Sequence, residues 1–280
     1  MKTAYKIALA KVCYRSIHAA RGLLGLRDYC VVRRNGVMFD LDLSEGIDFA
    51  IFLQGYFEPS TARALRRNIR HGDNVIDIGA NLGAHTLHMA RHVGGTGRVF
   101  AFEPTAFAFE KLTRNLVLNP MLQQRVTAYR AFLSDRDFAE VPDKIHSGWP
   151  LAGGRGLHPK HLGRPETTKD AACWTLDHAM AAAGSPRIKL IKLDVDGFEC
   201  AVLGGARGVI ARDRPTFVME VAPYVLGERG ASLEQLLSFF VPFGYEFFDE
   251  KTDEYLPSSS FDTLAKGEGL NVVARGVRDR

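Results

Sequence analysis

Several features are scarce or missing in this sequence, and each absence narrows the fold and the function. No run of apolar residues reaches the length of a membrane-spanning helix, so we expect none. Lys11 interrupts the first apolar stretch and no cleavage site follows, so we expect a cytoplasmic protein without a signal peptide. No cysteine pair has C-x-x-C spacing, which argues against zinc and favours reduced thiols at Cys13, Cys30, Cys173 and Cys200.

A strong charge imbalance is also missing, because 36 Lys and Arg against 32 Asp and Glu leave a net charge of only +4. The sequence has no basic stripe with interleaved aromatic residues and no N-P-P-Y-type motif, so we expect no nucleic-acid partner. With 280 residues, of which 46% are hydrophobic, the chain can form one large domain with appendages.

The most informative segment is Asn74–His85, in which a short apolar strand ends at Asp77 and a glycine turn follows. A second apolar strand, Arg98–Phe102, ends at Glu103 and Pro104. The two acids therefore stand at the tips of successive predicted strands. Glu103 can accept both hydrogens of a ribose diol, and a glycine turn lets the backbone approach a ligand. This pattern predicts a nucleoside-bearing cofactor.

The spacing of the glycine turn distinguishes between two cofactors. Gly79 and Gly83 do not fit the G-x-G-x-x-G pattern that holds the pyrophosphate of NAD. Asp77 would repel a pyrophosphate, whereas it would attract the ammonium group or the sulfonium of S-adenosylmethionine. We therefore expect S-adenosylmethionine. Two alternatives stay open: an NAD-dependent oxidoreductase, and a tight strand–helix turn without a ligand.

Strand-like and helix-like segments alternate after residue 70, as in a parallel sheet with helices on both faces. The predicted strands are Asn74–Ile78, Arg98–Phe102, Val126–Phe132, Leu190–Val195, Thr216–Val221, Tyr245–Asp249 and Asn271–Ala274. The predicted helices are Ala84–His92, Ala106–Leu118, Thr175–Ala183, Glu199–Ile210 and Ser232–Val241. We predict an α/β, Rossmann-like fold with a mostly parallel seven-stranded sheet, whose last two strands pair antiparallel.

Residues 1–70 are predicted as an N-terminal region and residues 71–280 as the main domain. We expect a helix over 1–26, a β-hairpin turned at Asn35 and Gly36, and two short helices. The first helix carries an apolar stripe with Lys and Arg between its members. It would dock on the domain or on a second subunit of a homodimer, or else lie on an anionic membrane surface.

Residues 137–170 do not fit the alternation and are rich in Gly, Pro, His and basic residues. A loop of this length in an ordered domain usually serves a function. We predict a substrate lid over the carboxyl edge of the sheet, with His146, His158 and His161 placed to meet a substrate and Trp149 able to stack on a ring. The alternative is a surface insertion without a role.

These motifs, in this order and spacing, resemble the FkbM-like family of S-adenosylmethionine-dependent methyltransferases. The resemblance covers about residues 55–221 and rests on Gly55–Glu58, Asp77–Gly83, Ala101–Pro104, Leu133–Asp135, Thr175–Asp177, Leu190–Gly197, Leu203–Ala206 and Phe217–Glu220. Asp196 stands where the family usually has Glu. The resemblance implies a class I methyltransferase fold and transfer of a methyl group, usually to a hydroxyl of a natural product or a sugar-containing substrate.

The cofactor-binding residues are predicted from these motifs. Glu103 should hold the ribose, Asn81 should donate to the methionine carboxylate or cap the next helix, and Ser134 should bond the adenine edge. The complete set is Glu58, Asp77, Gly79, Ala80, Asn81, Gly83, Glu103, Pro104, Ser134 and Asp194.

The predicted catalytic residues are Lys192, Asp194 and Glu220. Lys192, Asp194 and Asp196 alternate at the end of one strand, so they share a face, and Glu220 ends the next strand. These acids could stabilise the sulfonium or take a proton from the substrate hydroxyl, and we rank both above a divalent metal site. The alternative is a buried Lys–Asp network that only joins strand to helix.

The histidines His85, His88 and His92 share one helical face, which we interpret as half-buried packing. The function predicted overall is O-methylation of a small-molecule or glycan acceptor, without a metal. A non-catalytic protein that kept the cofactor fold as a scaffold is the alternative from another class.

Overall fold

The computed structural model describes residues 3–153, 156–158, 162–262, 264 and 269–276. The N-terminal part contains one long helix, a hairpin and two shorter helices. They are α1 (Thr3–Leu23), β1 (Tyr29–Arg34), β2 (Val37–Asp42), α2 (Gly46–Gln54) and α3 (Pro59–Asn68).

The rest of the described chain alternates between strands and helices, as predicted. Its first half comprises β3 (Asn74–Ile78), α4 (Thr86–Val93), β4 (Arg98–Phe102), α5 (Ala106–Val117), α6 (Pro120–Gln123), β5 (Val126–Tyr129), β6 (Ala131–Leu133), β7 (Lys144–Ser147), β8 (Arg164–Thr167), β9 (Ala172–Trp174) and α7 (Leu176–Ala182). Its second half comprises β10 (Ile188–Leu193), α8 (Glu199–Gly204), α9 (Arg207–Asp213), β11 (Thr216–Val221), α10 (Pro223–Glu228), α11 (Leu233–Ser238), a 3₁₀ turn (Val241–Phe243), β12 (Tyr245–Asp249), β13 (Tyr255–Leu256), α12 (Ser259–Asp262) and β14 (Leu270–Gly276).

The central sheet has the strand order β13-β12-β14-β11-β10-β3-β4-β5. The strands from β11 to β5 are parallel, and β14 runs antiparallel to both β11 and β12. The predicted α/β class, the mostly parallel sheet and the antiparallel last pair are therefore confirmed. The sheet has eight strands instead of seven, because the two-residue strand β13 pairs with β12.

The central strands are buried on both faces, which explains why their sequences are nearly continuous apolar runs. Polar side chains enter the sheet where the strands end. Lys192 in β10 lies beside Asp77 in β3, and Asp77 lies beside Ala101 in β4. This register places the acids after β4 and β10 at one carboxyl edge, where ligands bind in open α/β sheets.

Two predicted elements are each divided in the structure. The predicted strand Val126–Phe132 ends at Tyr129, and β6 then leaves the sheet to pair with β9. The predicted helix Glu199–Ile210 is interrupted at Gly205 and Ala206. A Cβ on Gly205 would lie 2.1 Å from the carbonyl oxygen of Ser134, so this close approach requires glycine.

Strands β7 and β8 form an antiparallel hairpin within the segment 137–170. After β7, the chain bonds to the N-terminal region. The amide of Gly46 donates to the carbonyl of Trp149 over 2.8 Å, and the amide of Leu151 donates to Ser44 over 2.7 Å. This segment is therefore anchored at its first half, whereas His161 lies outside the described residues.

Helix α1 packs on the rest of the domain through one side. Tyr14 is buried, and Ala10, Cys13 and Ile17 are partly buried against the same apolar cluster. Within the described part of the chain, no helix is both long enough and apolar enough to cross a bilayer.

Candidate functional site

A large cavity opens at the carboxyl edge of the central sheet, where β3, β4 and β10 end. It encloses about 1060 Å³ of space that no atom fills, its open mouth included. The loops after β3, β4 and β10 and the hairpin of segment 137–170 all contribute residues to its lining.

Glu103 lies in the wall of this cavity and is only 3% exposed. One carboxylate oxygen accepts the Asn81 amide over 2.9 Å, and the other accepts the amide and hydroxyl of Thr105 over 2.9 and 2.5 Å. Burial raises the pKa of Glu103, and these hydrogen bonds oppose the rise. Three of the four lone-pair positions are therefore used, and the position left for a ligand hydroxyl lies on the oxygen that accepts from Asn81.

The glycine turn after β3 brings the backbone of Gly79, Ala80 and Asn81 to the cavity. Gly79 has φ +79°, and a Cβ there would lie 1.9 Å from the carbonyl oxygen of Asp194. Only glycine allows β3 and β10 to approach this closely. Pro104 also lines the cavity.

Asp77, the last acid before this turn, is fully buried and is not among the residues that line the cavity. Its carboxylate accepts the hydroxyl of Thr86 over 2.6 Å and lies 3.6 Å from the ammonium of Lys192. Asp77 therefore joins the end of β3 to the start of α4 and to Lys192 in β10.

Lys192 is the positive centre of the site and is 4% exposed. Its ammonium lies 3.2 Å from Asp194 and donates to the carbonyl of Gly79 over 3.1 Å. Burial lowers the pKa of Lys192, but the negative charges of Asp194, Asp77 and Glu58 outweigh burial, and the net pKa is raised. The lysine stays charged and holds Asp194, which is partly exposed, at the cavity wall.

A second, smaller cavity adjoins Lys192 and Asp194 and brings in acids from distant parts of the chain. Its lining includes Glu58, Glu220 and Glu250. Burial and the neighbouring carboxylates raise the pKa of Glu58 to about 7 and that of Glu220 to about 8. The structure thus brings the predicted catalytic residues Lys192, Asp194 and Glu220 together. Glu220, like Glu58, lines this second cavity and not the larger one.

Asp196 belongs to the same acidic group and lines the larger cavity. Burial and the charges of Asp194 and Glu199 raise its pKa to about 8. Asp196 has a left-handed backbone, with φ +48°, and Glu199 accepts the amides of Val195 and Gly197 at 3.3 Å each. These bonds hold the loop after β10 in place.

We expect the stability of the ligand-free protein to fall as the pH rises from about 4.5 to about 8, partly because of Glu220. Over that range the native state keeps a proton on Glu220 that the unfolded state has released. Denaturant unfolding across this range should therefore show a weaker pH dependence for Glu220→Gln than for wild type. Glu246→Gln, an exposed change in β12, is the control, and equal slopes for Glu220→Gln and wild type would contradict the assignment.

His85 is a site residue that the sequence interpretation assigned only to packing. It is 4% exposed, precedes α4 and lines the large cavity. Among the described residues, no hydrogen-bond partner reaches either ring nitrogen. Burial holds the pKa of His85 well below its ordinary value, and the charges of Lys192 and His88 act in the same direction, so the ring is neutral. A neutral imidazole facing the cavity can both donate and accept one hydrogen bond.

The hairpin of segment 137–170 contributes His146, Ser147 and Trp149 to the cavity, and His158 joins them. Ser147 accepts a hydrogen bond from the Asn81 side chain over 3.0 Å, which joins the hairpin to the glycine turn. Arg164 in β8 pairs with Glu45 over 3.0 Å.

Two other predicted binding residues lie outside the cavity lining. Gly83 has φ +88° and packs against Leu112 behind the turn. Ser134 directs its hydroxyl to Asp135 over 3.3 Å, because the chain turns away from the cavity after Leu133. In the described ranges, no three His, Cys, Asp or Glu side chains are arranged to hold a metal ion.

The model of the FkbM methyltransferase domain matches residues 77–247, which is more than half of the chain. The chain belongs to the FkbM methyltransferase family. This assignment confirms the predicted family and S-adenosylmethionine as the cofactor, and it makes the protein a methyltransferase. No curated protein matches the sequence.

Solved structures with a similar arrangement include three methyltransferases. A putative rRNA-methylase from Clostridium thermocellum is 15% identical, with a TM-score of 0.46 over 79% of this chain and 95% of that one. An FkbM methyltransferase from Methylobacillus flagellatus KT is 16% identical, with a TM-score of 0.43 over 73% of this chain and 43% of that one. An S-adenosylmethionine-dependent O-methyltransferase from Thermotoga maritima is 14% identical, with a TM-score of 0.44 over 93% and 82%. These likenesses are too distant to identify an acceptor.

Proposed function

We propose that this FkbM methyltransferase methylates a hydroxyl group of a small-molecule natural product or a sugar-containing acceptor. The observation that carries the proposal is the position of Asp194. Its carboxylate is held by the buried Lys192 and is partly exposed at the wall of the cofactor cavity. An acid so placed can accept the proton of an acceptor hydroxyl.

The residues present fit S-adenosylmethionine at both ends of the cavity. Glu103 would accept the ribose hydroxyls, beside an apolar wall of Phe102, Phe132 and Leu133 suited to a base. At the polar end, Asn81 and the neutral His85 would donate to the methionine carboxylate. When bound, the cofactor supplies a methyl group on a sulfonium, which is already activated for transfer.

The chain's own residues then have two tasks. Trp149, His146 and His158 would hold the acceptor and exclude water, since they line the cavity together with the strand ends. Asp194 would orient the acceptor hydroxyl and take its proton, while Lys192 keeps that carboxylate fixed. Because alignment itself supplies much of the acceleration, the base contributes without being indispensable.

We expect Asp194→Asn to slow methyl transfer roughly 100-fold, while the affinity for S-adenosylmethionine changes by less than about threefold. The amide keeps the shape of the carboxylate but cannot take a proton. Single-turnover transfer to an accepted hydroxyl substrate and calorimetric binding measure the two quantities separately. Asp135→Asn, the same change at an exposed residue outside the cavity lining, is the control. Equal single-turnover rates for Asp194→Asn and wild type would remove Asp194 from the mechanism.

The acceptor class is tested by mass spectrometry of a panel of sugars, phenols, aliphatic alcohols and amines incubated with enzyme and S-adenosylmethionine. Mass gain on hydroxyl compounds supports the proposal, and gain confined to amines contradicts it. Tight cofactor binding with no turnover on any acceptor would favour the non-catalytic scaffold.

A further inference from the structure

The outer side of α1 and the turn after it expose large apolar side chains to solvent. Leu23 and Leu24 are 89% and 74% exposed, and the other members of the surface are Leu9, Val12 and Leu26. Leu9, Val12 and Leu23 recur at helical spacing, so they lie on one side of α1, opposite the buried Tyr14. We call these five residues the outer apolar surface. Soluble proteins rarely group so many exposed apolar residues without an interaction.

The fold holds this surface outward. The Tyr14 hydroxyl donates to Asp28 over 2.9 Å, and His18 contacts the same carboxylate at 2.8 Å. Arg21 donates to the carbonyl of Arg27 over 2.6 and 3.1 Å, which closes the turn that carries Leu23, Leu24 and Leu26. Leu23, Leu24 and Leu26 are therefore held on a fixed turn with their side chains exposed to solvent.

The segment of sequence that carries this surface is strongly positive. Residues 1–34 contain eight Lys or Arg and one Asp, which gives a net charge of +7, whereas residues 35–280 contain 28 basic and 31 acidic residues, a net charge of −3. Arg15 and Arg27 are exposed beside the apolar residues. The basic character of the chain is thus concentrated in the segment that carries the outer apolar surface.

We propose that the outer apolar surface binds the face of a membrane that contains anionic phospholipids. Exposed leucines beside arginines on one side of a helix suit the boundary between acyl chains and anionic headgroups. A second copy of this chain is a poorer occupant. A symmetric dimer across this face would place two segments of charge +7 against each other.

The test is sedimentation of the full-length protein with phosphatidylcholine vesicles, with and without phosphatidylserine. We expect binding to the phosphatidylserine vesicles that weakens with added salt, and little binding to phosphatidylcholine alone. The variant Leu23→Gln/Leu24→Gln/Leu26→Gln should bind at least roughly tenfold more weakly. Arg15→Glu/Arg27→Glu should lose binding to the anionic vesicles in particular.

The control variant is Val117→Gln/Met121→Gln, which changes two exposed apolar residues on α5 and α6 and should bind like wild type. Failure of wild type to sediment with phosphatidylserine vesicles would overturn the proposal, as would equal binding by the leucine variant. A lipid-free dimer that the leucine variant dissociates would assign the surface to a second copy instead. Calorimetric binding of S-adenosylmethionine without lipid checks the fold of each variant and keeps this test separate from that of the methyltransferase activity.

Discussion

Glu103→Ala is expected to abolish measurable binding of S-adenosylmethionine, a loss of roughly 100-fold or more in affinity. The side chain is buried in the cavity wall, where under the proposed function it accepts hydrogen bonds from the ribose hydroxyls. Without the carboxylate, those hydroxyls would enter a wall that cannot replace their bonds to water. Calorimetric titration of the purified variant measures the effect.

Glu103 also accepts bonds from Asn81 and Thr105, so the loss could come from a disordered turn. Thr105→Val separates the two causes, because it removes one of these internal bonds and leaves the carboxylate. We expect Thr105→Val to bind the cofactor within roughly threefold of wild type, with a small loss of stability. If Glu103→Ala bound as tightly as wild type, the assignment of this acid to the ribose would be wrong.

The parts of the site that the sequence predicted are those that follow directly on strands. Glu103 and Asp194 each follow an apolar run, and parallel strands end at the same edge of a sheet. Their meeting place was therefore predictable from local pattern and topology. Gly79 was predictable for the same reason, because a turn at a strand end needs a residue that tolerates positive φ.

The parts that the sequence did not predict depend on distant pairing. Glu250 directly follows β12, and its amide donates to the carbonyl of Asn271 in β14. This pairing of β12 with β14 brings Glu250 to the other acids of the site. His85 has the same helical spacing as a packing residue, and nothing local distinguishes a ring that faces a cavity from one that faces the core. The departure of β6 from the main sheet depends on its pairing with β9, about forty residues later.

The predicted role of Ser134 also depended on distant pairing, because it rested on where one strand ends. The strand Val126–Phe132 was predicted as one element, which would have placed Ser134 at the carboxyl edge. Because the chain changes partner after Tyr129, Ala131 to Leu133 line the cavity and Ser134 lies beyond it. The adenine contact of Ser134 stays a prediction, for a residue just outside the cavity lining.

The largest loss of stability is expected for Lys192→Met, at about 3–5 kcal/mol in the free energy of unfolding. Methionine fills a similar volume but leaves Asp77 fully buried without a positive partner, and it removes the partner of Asp194 as well. Urea denaturation measures the loss. Lys189→Met, on the same strand but exposed, should change the free energy of unfolding by less than about 0.5 kcal/mol.

Adding Asp77→Asn to Lys192→Met tests the physical cause. If the loss comes from a buried carboxylate without compensation, the double variant should recover part of the stability that the single variant lost. Asp77→Asn alone should lower the free energy of unfolding, because Lys192 then keeps its ion pair with Asp194 but loses the one with the fully buried Asp77. Two outcomes would show that Lys192 only packs in the site and does not organise its charges. One is that the effects of Lys192→Met and Asp77→Asn on the free energy of unfolding are additive. The other is that Lys192→Met destabilises the protein no more than Lys189→Met does.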